Sequence, residues 1–399
     1  MTYRSEFGHS TLGWRPRWFL GVSFVYFVVL CPFNALGQGP WAAKEIAPGI
    51  IHSSYLLDGP RTVDVLEVDL SNPWFRIESY RLNGLVTTSE QARELAANGK
   101  RVIAAINADF FSFETGWPIG NQVVNGKFVL GTTSARSHFA VDDRGRPFIE
   151  RLAFRGWVRT RPGKTYPISG VNHQHRRNSV VLHTSYASGK NTFAGSGSAF
   201  SLHLLSLRWI AGDTLKMLVR DQTVGDSTSI LPNEAVLWIG DGDDVQAACD
   251  DIRGGDTLLV YLGFSPDLRR IEQVVGGGGR ILEGGSLFSD SAIALERINP
   301  RFARDRHPRT FVAFDRDTTK LFLCTVDGRQ ANSIGMNFNE MGEFLKGIGC
   351  WNAINLDGGG STTMVVEGNV VNSPSDQAGE RPVANTLQVV ERDSLIQKR

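Results

Sequence analysis

Residues 355–363 read Asn-Leu-Asp-Gly-Gly-Gly-Ser-Thr-Thr, and the three consecutive glycines constrain this chain more than any other feature. Glycine loses more backbone freedom on folding than any other residue, so such a run is typical of places where the backbone passes close to a ligand or another strand. Residues 353–356 predict a short buried strand before the run, and residues 364–371 predict a hairpin that turns at Gly368 and Asn369. The pattern therefore places the glycines at the end of a strand, where binding sites are commonly built.

A plain structural turn is the competing interpretation of this segment. In such a turn the Asp357 carboxylate would accept hydrogen bonds from nearby backbone N–H groups. A nucleotide-binding P-loop is disfavoured, because no lysine follows the glycines and no helical pattern comes after them. Taken alone, the segment leaves the choice between a turn and a binding site open.

Apolar residues recur with two different periods along the chain. Residues 62–70 alternate apolar and polar side chains, which is typical of a strand with one face in a core. Residues 89–97 predict a helix with Ser89 as its N-cap, and residues 339–349 predict a second helix. Residues 101–106 predict a buried strand, and strand-like runs dominate elsewhere. The sequence therefore predicts an α+β fold, a β-rich mixed-sheet domain with few helices.

The N-terminal segment predicts export. A basic stretch precedes an apolar run over residues 18–33, and Ala35 and Gly37 fit a small-x-small cleavage site. The run is short for a membrane-spanning helix, so cleavage is favoured over an uncleaved anchor that would hold the protein to a membrane. We expect residues 1–37 to be a signal peptide or N-terminal anchor, residues 38–399 to form the catalytic domain, and the protein to be secreted or periplasmic.

The net charge and the cysteine spacing argue against several classes of partner and of metal site. The chain has 42 Lys and Arg against 41 Asp and Glu, a formal net charge of +1 at pH 7. Such balance argues against nucleic acid or an anionic membrane as the main partner. Beyond the N-terminal segment, the cysteines are Cys249, Cys324 and Cys350, whose spacing gives no zinc signature. We therefore expect buried free thiols.

Several short motifs occur together in a specific order. In chain order they are NADFF (107–111), GWPIG (116–120), GGGGRIL (276–282), HPRT (307–310), VDGRQ (326–330), NLDGGGS (355–361) and ERPVAN (380–385). With these motifs the chain resembles the phosphodiester glycosidase family over roughly residues 100–390, most strongly beyond residue 270. The best-known member of that family removes N-acetylglucosamine from a phosphate diester. The resemblance implies hydrolysis of a glycosyl-1-phosphodiester, with a glycan or sugar-phosphate as the substrate.

Hydrolysis of the bond between an anomeric carbon and a phosphate oxygen requires a carboxylate near that carbon. The carboxylate can stabilise positive charge, act as a nucleophile or activate water. Asp357 is the first choice, because it leaves a strand next to several N–H donors. Glu340, in the first turn of its predicted helix, and Asp327, which could equally belong to a plain turn, are the other catalytic candidates.

The phosphate requires positive charge, which the planar guanidinium of arginine supplies together with two parallel hydrogen bonds. Arg309, Arg329 and Arg381 each lie in one of the shared motifs, and a structural ion pair is the competing role for each. Arg309 and Arg329 border two strands that are expected to pair as a hairpin, so their guanidinium groups are expected at one end of a sheet. For Asp109, binding of the ligand and capping of a turn are equally compatible with the sequence. The complete set of predicted substrate-binding residues is Asn107, Asp109, Arg309, Arg329, Gly358, Gly359, Gly360, Ser361, Thr362, Arg381 and Asn385.

No cofactor is predicted. Carboxylates and carbonyl groups around the glycines could hold a divalent cation such as calcium, but no metal-binding motif is visible in the sequence. His173, His175 and His183 lack further ligands at the spacing of a zinc finger. Two other functions suit the same residues: a glycosidase or transferase in exopolysaccharide metabolism on the same scaffold, or a non-catalytic sugar-phosphate-binding protein.

Overall fold

A computed structural model describes residues 39–187, 196–223, 229–268 and 270–392. The signal peptide or anchor predicted over residues 1–37 lies outside these ranges. Within them, none of the helices combines the length and the apolar character that crossing a membrane requires.

Strands account for most of the regular structure. In chain order the strands are β1 (Ala42–Ala47), β2 (Ile50–Leu57), β3 (Arg61–Asp69), β4 (Phe75–Tyr80), β5 (Val102–Asn107), β6 (Gln122–Val124), β7 (Lys127–Leu130), β8 (Arg136–Asp142), β9 (Pro147–Arg159), β10 (Thr165–Ile168), β11 (Gly170–Val171), β12 (Val180–Thr184), β13 (Gly197–Leu204), β14 (Asp213–Thr223), β15 (Glu234–Gly240), β16 (Thr257–Ser265), β17 (Ile271–Gly276), β18 (Arg280–Glu283), β19 (Ser286–Leu287), β20 (Arg309–Phe314), β21 (Lys320–Val326), β22 (Asn352–Asn355), β23 (Met364–Val366), β24 (Asn369–Val370) and β25 (Thr386–Glu391). The α-helices are α1 (Thr88–Ala97), α2 (Asp243–Asp250), α3 (Ser289–Leu295), α4 (Pro300–Arg304) and α5 (Phe338–Gly347).

The strands form three sheets of mixed order. The eight-stranded sheet runs β1-β2-β3-β21-β20-β22-β18-β19, and the five-stranded sheet runs β24-β23-β5-β25-β4. The twelve-stranded sheet runs β11-β12-β15-β13-β14-β16-β9-β8-β17-β6-β7, with β10 paired to β9. The predicted β-rich α+β fold is confirmed.

Apolar side chains join the eight-stranded and five-stranded sheets into one core. Leu66, Val312 and Leu323 of the larger sheet pack in the same buried cluster as Ile106 and Leu387 of the smaller one. β-Branched and aromatic residues suit such half-buried pleated surfaces. The twelve-stranded sheet has its own large cluster, and its strands β8 and β17 also contribute side chains to the core shared by the first two sheets.

Predicted elements and observed elements differ mostly at their ends. The N-cap of α1 is Thr87, whose side chain accepts a hydrogen bond from the N–H of Glu90, so the prediction of Ser89 as the N-cap is wrong. Ser89 instead donates its N–H and its hydroxyl to Glu380, a residue distant in sequence. The turn between β23 and β24 consists of Glu367 and Gly368, both at positive φ, and lies one residue earlier than predicted.

The ends of β5 and β22 meet where the two sheets adjoin. The Asp357 N–H donates to the carbonyl of Ala108 at 2.8 Å, which joins the residues that follow these two strands. β22 pairs with β20 through Phe311 and Asn355, and β5 pairs with β25 through Asn107 and Thr386. Loops from four strands therefore converge beside Asp357.

Candidate active site

Each glycine of the loop over residues 358–360 either lies close to another group or has a backbone conformation that favours glycine. A Cβ atom at Gly358 would lie 2.6 Å from the carbonyl oxygen of Pro308. Gly359 has a φ of +63°, the left-handed region that side chains disfavour. A Cβ atom at Gly360 would overlap the guanidinium of Arg381. The loop is therefore a place of close approach, as its composition predicts.

Asp357 is half-buried at the start of this loop. Its Oδ1 accepts a hydrogen bond from the N–H of Gly358 at 2.9 Å, which is the capping contact expected of a plain turn. Burial raises the pKa of Asp357 to about 6, although the Ser361 hydroxyl, the Gly358 N–H and the charge of Arg381 act to lower it. The hydroxyl of Ser361 faces this carboxylate without forming a hydrogen bond of ordinary geometry. Asp357 thus combines a turn contact with a perturbed carboxylate, a feature common at functional sites.

Asp109 lies beneath the loop, with 1% of its surface exposed. The N–H of Gly120 donates to Oδ2 at 2.7 Å, and Oδ1 has no hydrogen-bond partner among the described residues. Burial raises the pKa of Asp109 to about 7; the charge of Arg136 and the Gly120 N–H act to lower it, and the charge of Asp357 acts to raise it. The two carboxyl groups are therefore electrostatically coupled.

Two arginines lie against the glycine loop. A Cβ atom at Gly359 would lie 3.1 Å from Nη2 of Arg329, so this guanidinium rests against the loop. Arg329 is exposed, has a φ of +60°, and forms no ion pair among the described residues. The guanidinium of Arg381 rests against Gly360 and donates from Nε to Asp376 Oδ2 at 2.8 Å. Both cations therefore border the backbone that follows Asp357, where an anion could be held.

Arg309 does not reach this position, which corrects its predicted role in substrate binding. Only 1% of its surface is exposed, and it donates to the carbonyl oxygens of Met336, Phe302 and Asp305. Its guanidinium also stacks over the rings of Phe302 and Phe338. The predicted pairing of β20 with β21 is confirmed, and the charges of Arg309 and Arg329 do act on each other. However, Arg309 points into the protein, where it satisfies backbone carbonyl groups.

The structure does not bring Glu340 to the glycine loop. Glu340 completes a capping box with Asn337 at the start of α5. Its two carboxylate oxygens also accept hydrogen bonds from Arg306, and Arg61 lies 3.3 Å from Oε1. These contacts give Glu340 a structural role and correct its prediction as a catalytic residue.

Asp327 anchors a neighbouring loop. Its Oδ1 accepts hydrogen bonds from the Asn372 side chain and from the N–H of Ser373, both at 3.0 Å. Burial raises the pKa of Asp327 to about 6, although these two donors act to lower it. The carboxylate thus holds the segment after β24 beside the residues that carry Arg329, and we assign it a positioning role in place of the predicted catalytic one.

The predicted asparagines hold the loops together. The Asn107 side chain donates to the carbonyl of Asp357 at 2.7 Å and accepts from Thr310 and Thr363. Asn385 accepts a hydrogen bond from the N–H of Asp109 at 2.9 Å. Both side chains are buried, so their contacts fix the carboxylates in place.

Several of the buried polar atoms that lack a hydrogen-bond partner in the described chain lie around this loop. Those atoms are Asp109 Oδ1, Asn355 Oδ1, Ser361 Oγ, Thr362 Oγ1, Thr363 Oγ1 and Asn385 Nδ2. Folded proteins satisfy most buried polar groups, because leaving one unpaired costs about 1–3 kcal/mol. Such a concentration around one loop is typical of a site that receives a polar ligand, and it supports the predicted involvement of Ser361 and Thr362.

Phe113 and Arg136 belong to the site but were not predicted from the sequence. Phe113 is 71% exposed, and the guanidinium of Arg381 lies 5.8 Å from its ring centroid, so an aromatic face is available beside the loop. Its neighbour Phe111, which shares the same run of aromatics, is buried. Arg136 acts on Asp109 and donates to the carbonyl of Gly277 at 3.2 Å. No motif contains Arg136, whereas the FFSF run offered a signal for Phe113.

The described residues contain no cluster of three or more His, Cys, Asp or Glu side chains arranged to hold a metal ion. His175 and His183 approach each other at 2.7 Å between their Nε2 atoms, and His175 stacks on Trp238. Burial lowers the pKa of His183 to about 3 and also lowers the pKa of His175, so the two neutral imidazoles form a hydrogen bond with each other. Cys249, Cys324 and Cys350 are free thiols, as predicted; Cys324 and Cys350 are buried, whereas Cys249 is only half-buried, which corrects the prediction for that residue.

A family model described as phosphodiester glycosidase matches residues 216–390, which include Asp357, Arg329 and Arg381. Over these residues the chain is similar to the phosphodiester glycosidase family. The N-acetylglucosamine-1-phosphodiester alpha-N-acetylglucosaminidase of Mus musculus is 35% identical over 134 residues, 31% of this chain and 26% of the mouse protein. An SPbeta prophage-derived protein of Bacillus subtilis strain 168 is 42% identical over 84 residues, 21% of this chain and 13% of that protein.

The match thus spans about a quarter or less of the length of these two relatives. A solved structure of a protein from Synechocystis shares the fold, with a TM-score of 0.66 and 19% identity over 89% of this chain and 64% of that chain. Asp109 and Arg136 lie outside the residues that the phosphodiester glycosidase model matches.

Proposed function

We propose that this chain is an exported hydrolase that cleaves a glycosyl-1-phosphodiester, such as an N-acetylglucosaminyl phosphodiester, in a glycan or envelope polymer. The observation that carries the proposal is the position of Asp357, whose carboxylate opens a glycine loop flanked by Arg329 and Arg381. The similarity of residues 216–390 to the phosphodiester glycosidase family supports the reaction class. Export rests on the sequence pattern of residues 1–37.

The phosphate binds between the two guanidinium groups in this proposal. Arg329 has no carboxylate partner among the described residues, so its charge is available to an anion. Charge-assisted hydrogen bonds from guanidinium to phosphate are short and strong, and both groups can donate in parallel. Stabilisation of the leaving phosphate by preorganised cations lowers the barrier to departure.

Asp357 acts at the anomeric carbon. Its carboxylate, with a pKa of about 6, is mostly ionised at neutral pH and stabilises the positive charge that develops at this carbon. The departing group is a phosphate monoester, which needs less help from a general acid than an alcohol does. Asp109 does not contact substrate in this scheme; its carboxyl group accepts a hydrogen bond from the N–H of Gly120, and the charge of Asp357 acts to raise its pKa.

Hydrolysis of a synthetic methyl N-acetylglucosaminyl phosphodiester by the purified protein tests the proposal. We expect release of N-acetylglucosamine, and a loss of about 1,000-fold or more in kcat for Asp357→Asn. Methyl N-acetylglucosaminide, which lacks phosphate, is the matched control and should not be hydrolysed. Turnover of the phosphate-free substrate at the same rate would favour a glycosidase or transferase, and binding without turnover would favour a sugar-phosphate-binding protein.

A further inference from the structure

A cavity of about 690 Å³ adjoins the candidate active site on the side of Asp109. Residues 134–136, Arg151 and residues 294–298 line it, and none of them belongs to the glycine loop. Its volume lies within the range of about 300–1,000 Å³ that is typical of small-molecule sites. The proposed reaction assigns no role to this cavity.

The lining of the cavity is rich in unpaired positive charge. Three arginines, Arg136, Arg151 and Arg297, face one carboxylate, Glu296. None of the three arginines forms an ion pair within the described ranges, and Arg151 and Arg297 are exposed. Glu296 already accepts a hydrogen bond from the N–H of Arg280 at 3.2 Å. Neighbouring guanidinium groups repel one another, so a bound anion would relieve this repulsion.

Arg136 connects the cavity to the active site. Its guanidinium lies 5.6 Å from the ring centroid of Phe110 and donates to the carbonyl of Gly277. Its charge also acts on the carboxyl group of Asp109, so it is close to both regions. A substrate longer than one sugar unit could therefore occupy both the loop and the cavity.

We propose that this cavity binds an acidic saccharide unit of the substrate, adjacent to the unit whose phosphodiester bond is cleaved. The inference rests on the proposed function, and it narrows the substrate class to anionic glycans. Guanidinium groups bind carboxylate and phosphate substituents alike through paired N–H donors. A neutral saccharide offers no anionic acceptor to pair with these guanidinium groups, so the site selects for charge.

The test is binding of a trigalacturonate, measured by isothermal titration calorimetry on the full chain. We expect the double variant Arg151→Ala/Arg297→Ala to bind it at least about tenfold more weakly than the parent, because charge-assisted hydrogen bonds to the acidic groups are lost. Arg155→Ala is the matched control. This exposed arginine lies on β9, as Arg151 does, but it does not line the cavity, so we expect unchanged affinity for trigalacturonate. A neutral trisaccharide of the same length should bind the parent at least about tenfold more weakly than the trigalacturonate.

Equal affinity of parent and double variant for trigalacturonate would overturn the inference, and so would equal affinity of the parent for the neutral trisaccharide. A trisaccharide bearing phosphate in place of carboxylate distinguishes the two acidic substituents; the tighter of the two identifies the group that the cavity prefers. Binding requires no turnover. Arginine-dependent binding without hydrolysis of any diester would therefore reject the proposed reaction and leave the cavity as an acidic-saccharide site.

Discussion

Two glycine-rich segments, residues 276–279 and residues 358–360, meet at the site and have opposite roles. In the first segment, a Cβ atom at Gly276 would overlap the Asp109 carboxyl, and one at Gly278 would lie 2.5 Å from the ring of Phe110. In the second segment the nearest groups include the ends of two arginine side chains. The first segment therefore packs against the interior, and the second lies against the ends of arginine side chains. The difference shows that a glycine run indicates close approach but does not identify what approaches.

The largest expected effect tests the second segment. Arg329→Ala should lower kcat/KM for the N-acetylglucosaminyl phosphodiester by about 100- to 1,000-fold, because one preorganised donor to the phosphate is lost. The melting temperature should be unchanged, since Arg329 is exposed and has no ion-pair partner in the described part of the chain. Steady-state kinetics and thermal unfolding measure both. Arg144→Ala, another exposed arginine, is the control, and an equal loss in that variant would remove Arg329 from phosphate binding.

The next effect tests the first segment. Gly276→Ala should lower the free energy of unfolding by about 3 kcal/mol, because the added methyl group overlaps a buried carboxyl that cannot move aside freely. Gly254→Ala is the matched control, since its Cβ atom would meet only the carbonyl of Arg220 at 3.4 Å. Urea denaturation measures the difference. Equal stability of the two variants would show that residues 276–279 are not tightly packed.

The carboxylate of Asp109, which lies against Gly276, should reduce the stability of the protein at high pH. The folded-state pKa of Asp109, about 7, lies above its ordinary value of 3.8, so the unfolded chain releases this proton first and stability falls as pH rises from about 4 to about 7. Asp109→Asn removes this charge and should raise the free energy of unfolding at pH 8 by on the order of 2 kcal/mol. At pH 4 the folded carboxyl is protonated and the difference should largely vanish. A variant that is less stable than the parent at pH 8 would contradict the buried charge.

The smallest expected effect comes from a glycine-to-alanine substitution in the second segment, residues 358–360. Gly360→Ala should displace the flexible end of Arg381 and lower kcat/KM about tenfold, while the free energy of unfolding changes by less than about 1 kcal/mol. Kinetics and urea denaturation, run beside Gly276→Ala, give the comparison directly. If Gly360→Ala instead unfolds the protein and retains activity per folded molecule, the two segments have the same structural role.

The periodic parts of the fold could be predicted from the sequence. The alternation over residues 62–70 identified β3, and the apolar spacing over residues 339–349 identified α5. Helix ends were less predictable, because tertiary contacts competed for the capping residues. Ser89 donates a hydrogen bond to Glu380, and Thr87 is the N-cap instead. The residues next to a capping position in sequence do not reveal hydrogen-bond partners that are distant in the chain.

The candidate site could be predicted only in part. Asp357 and the glycines followed from their position after a strand, but Arg309 and Arg329 looked alike, since each borders one strand of the same hairpin. Arg309 lies inside its strand and faces carbonyl groups that need donors, whereas Arg329 follows its strand at a φ of +60° and stays exposed. Arg136 belongs to no motif, and only the tertiary fold brings it close to the site. Side-chain direction separates these arginines, and the sequence does not reveal it.

A crystal structure of Asp357→Asn with the bound N-acetylglucosaminyl phosphodiester tests the assignment most directly. We expect the phosphate oxygens within hydrogen-bond distance of the guanidinium groups of both Arg329 and Arg381, and the anomeric carbon beside residue 357. A diester bound elsewhere, with Arg329 directed into solvent and Arg381 still held only by Asp376, would contradict the proposed active site.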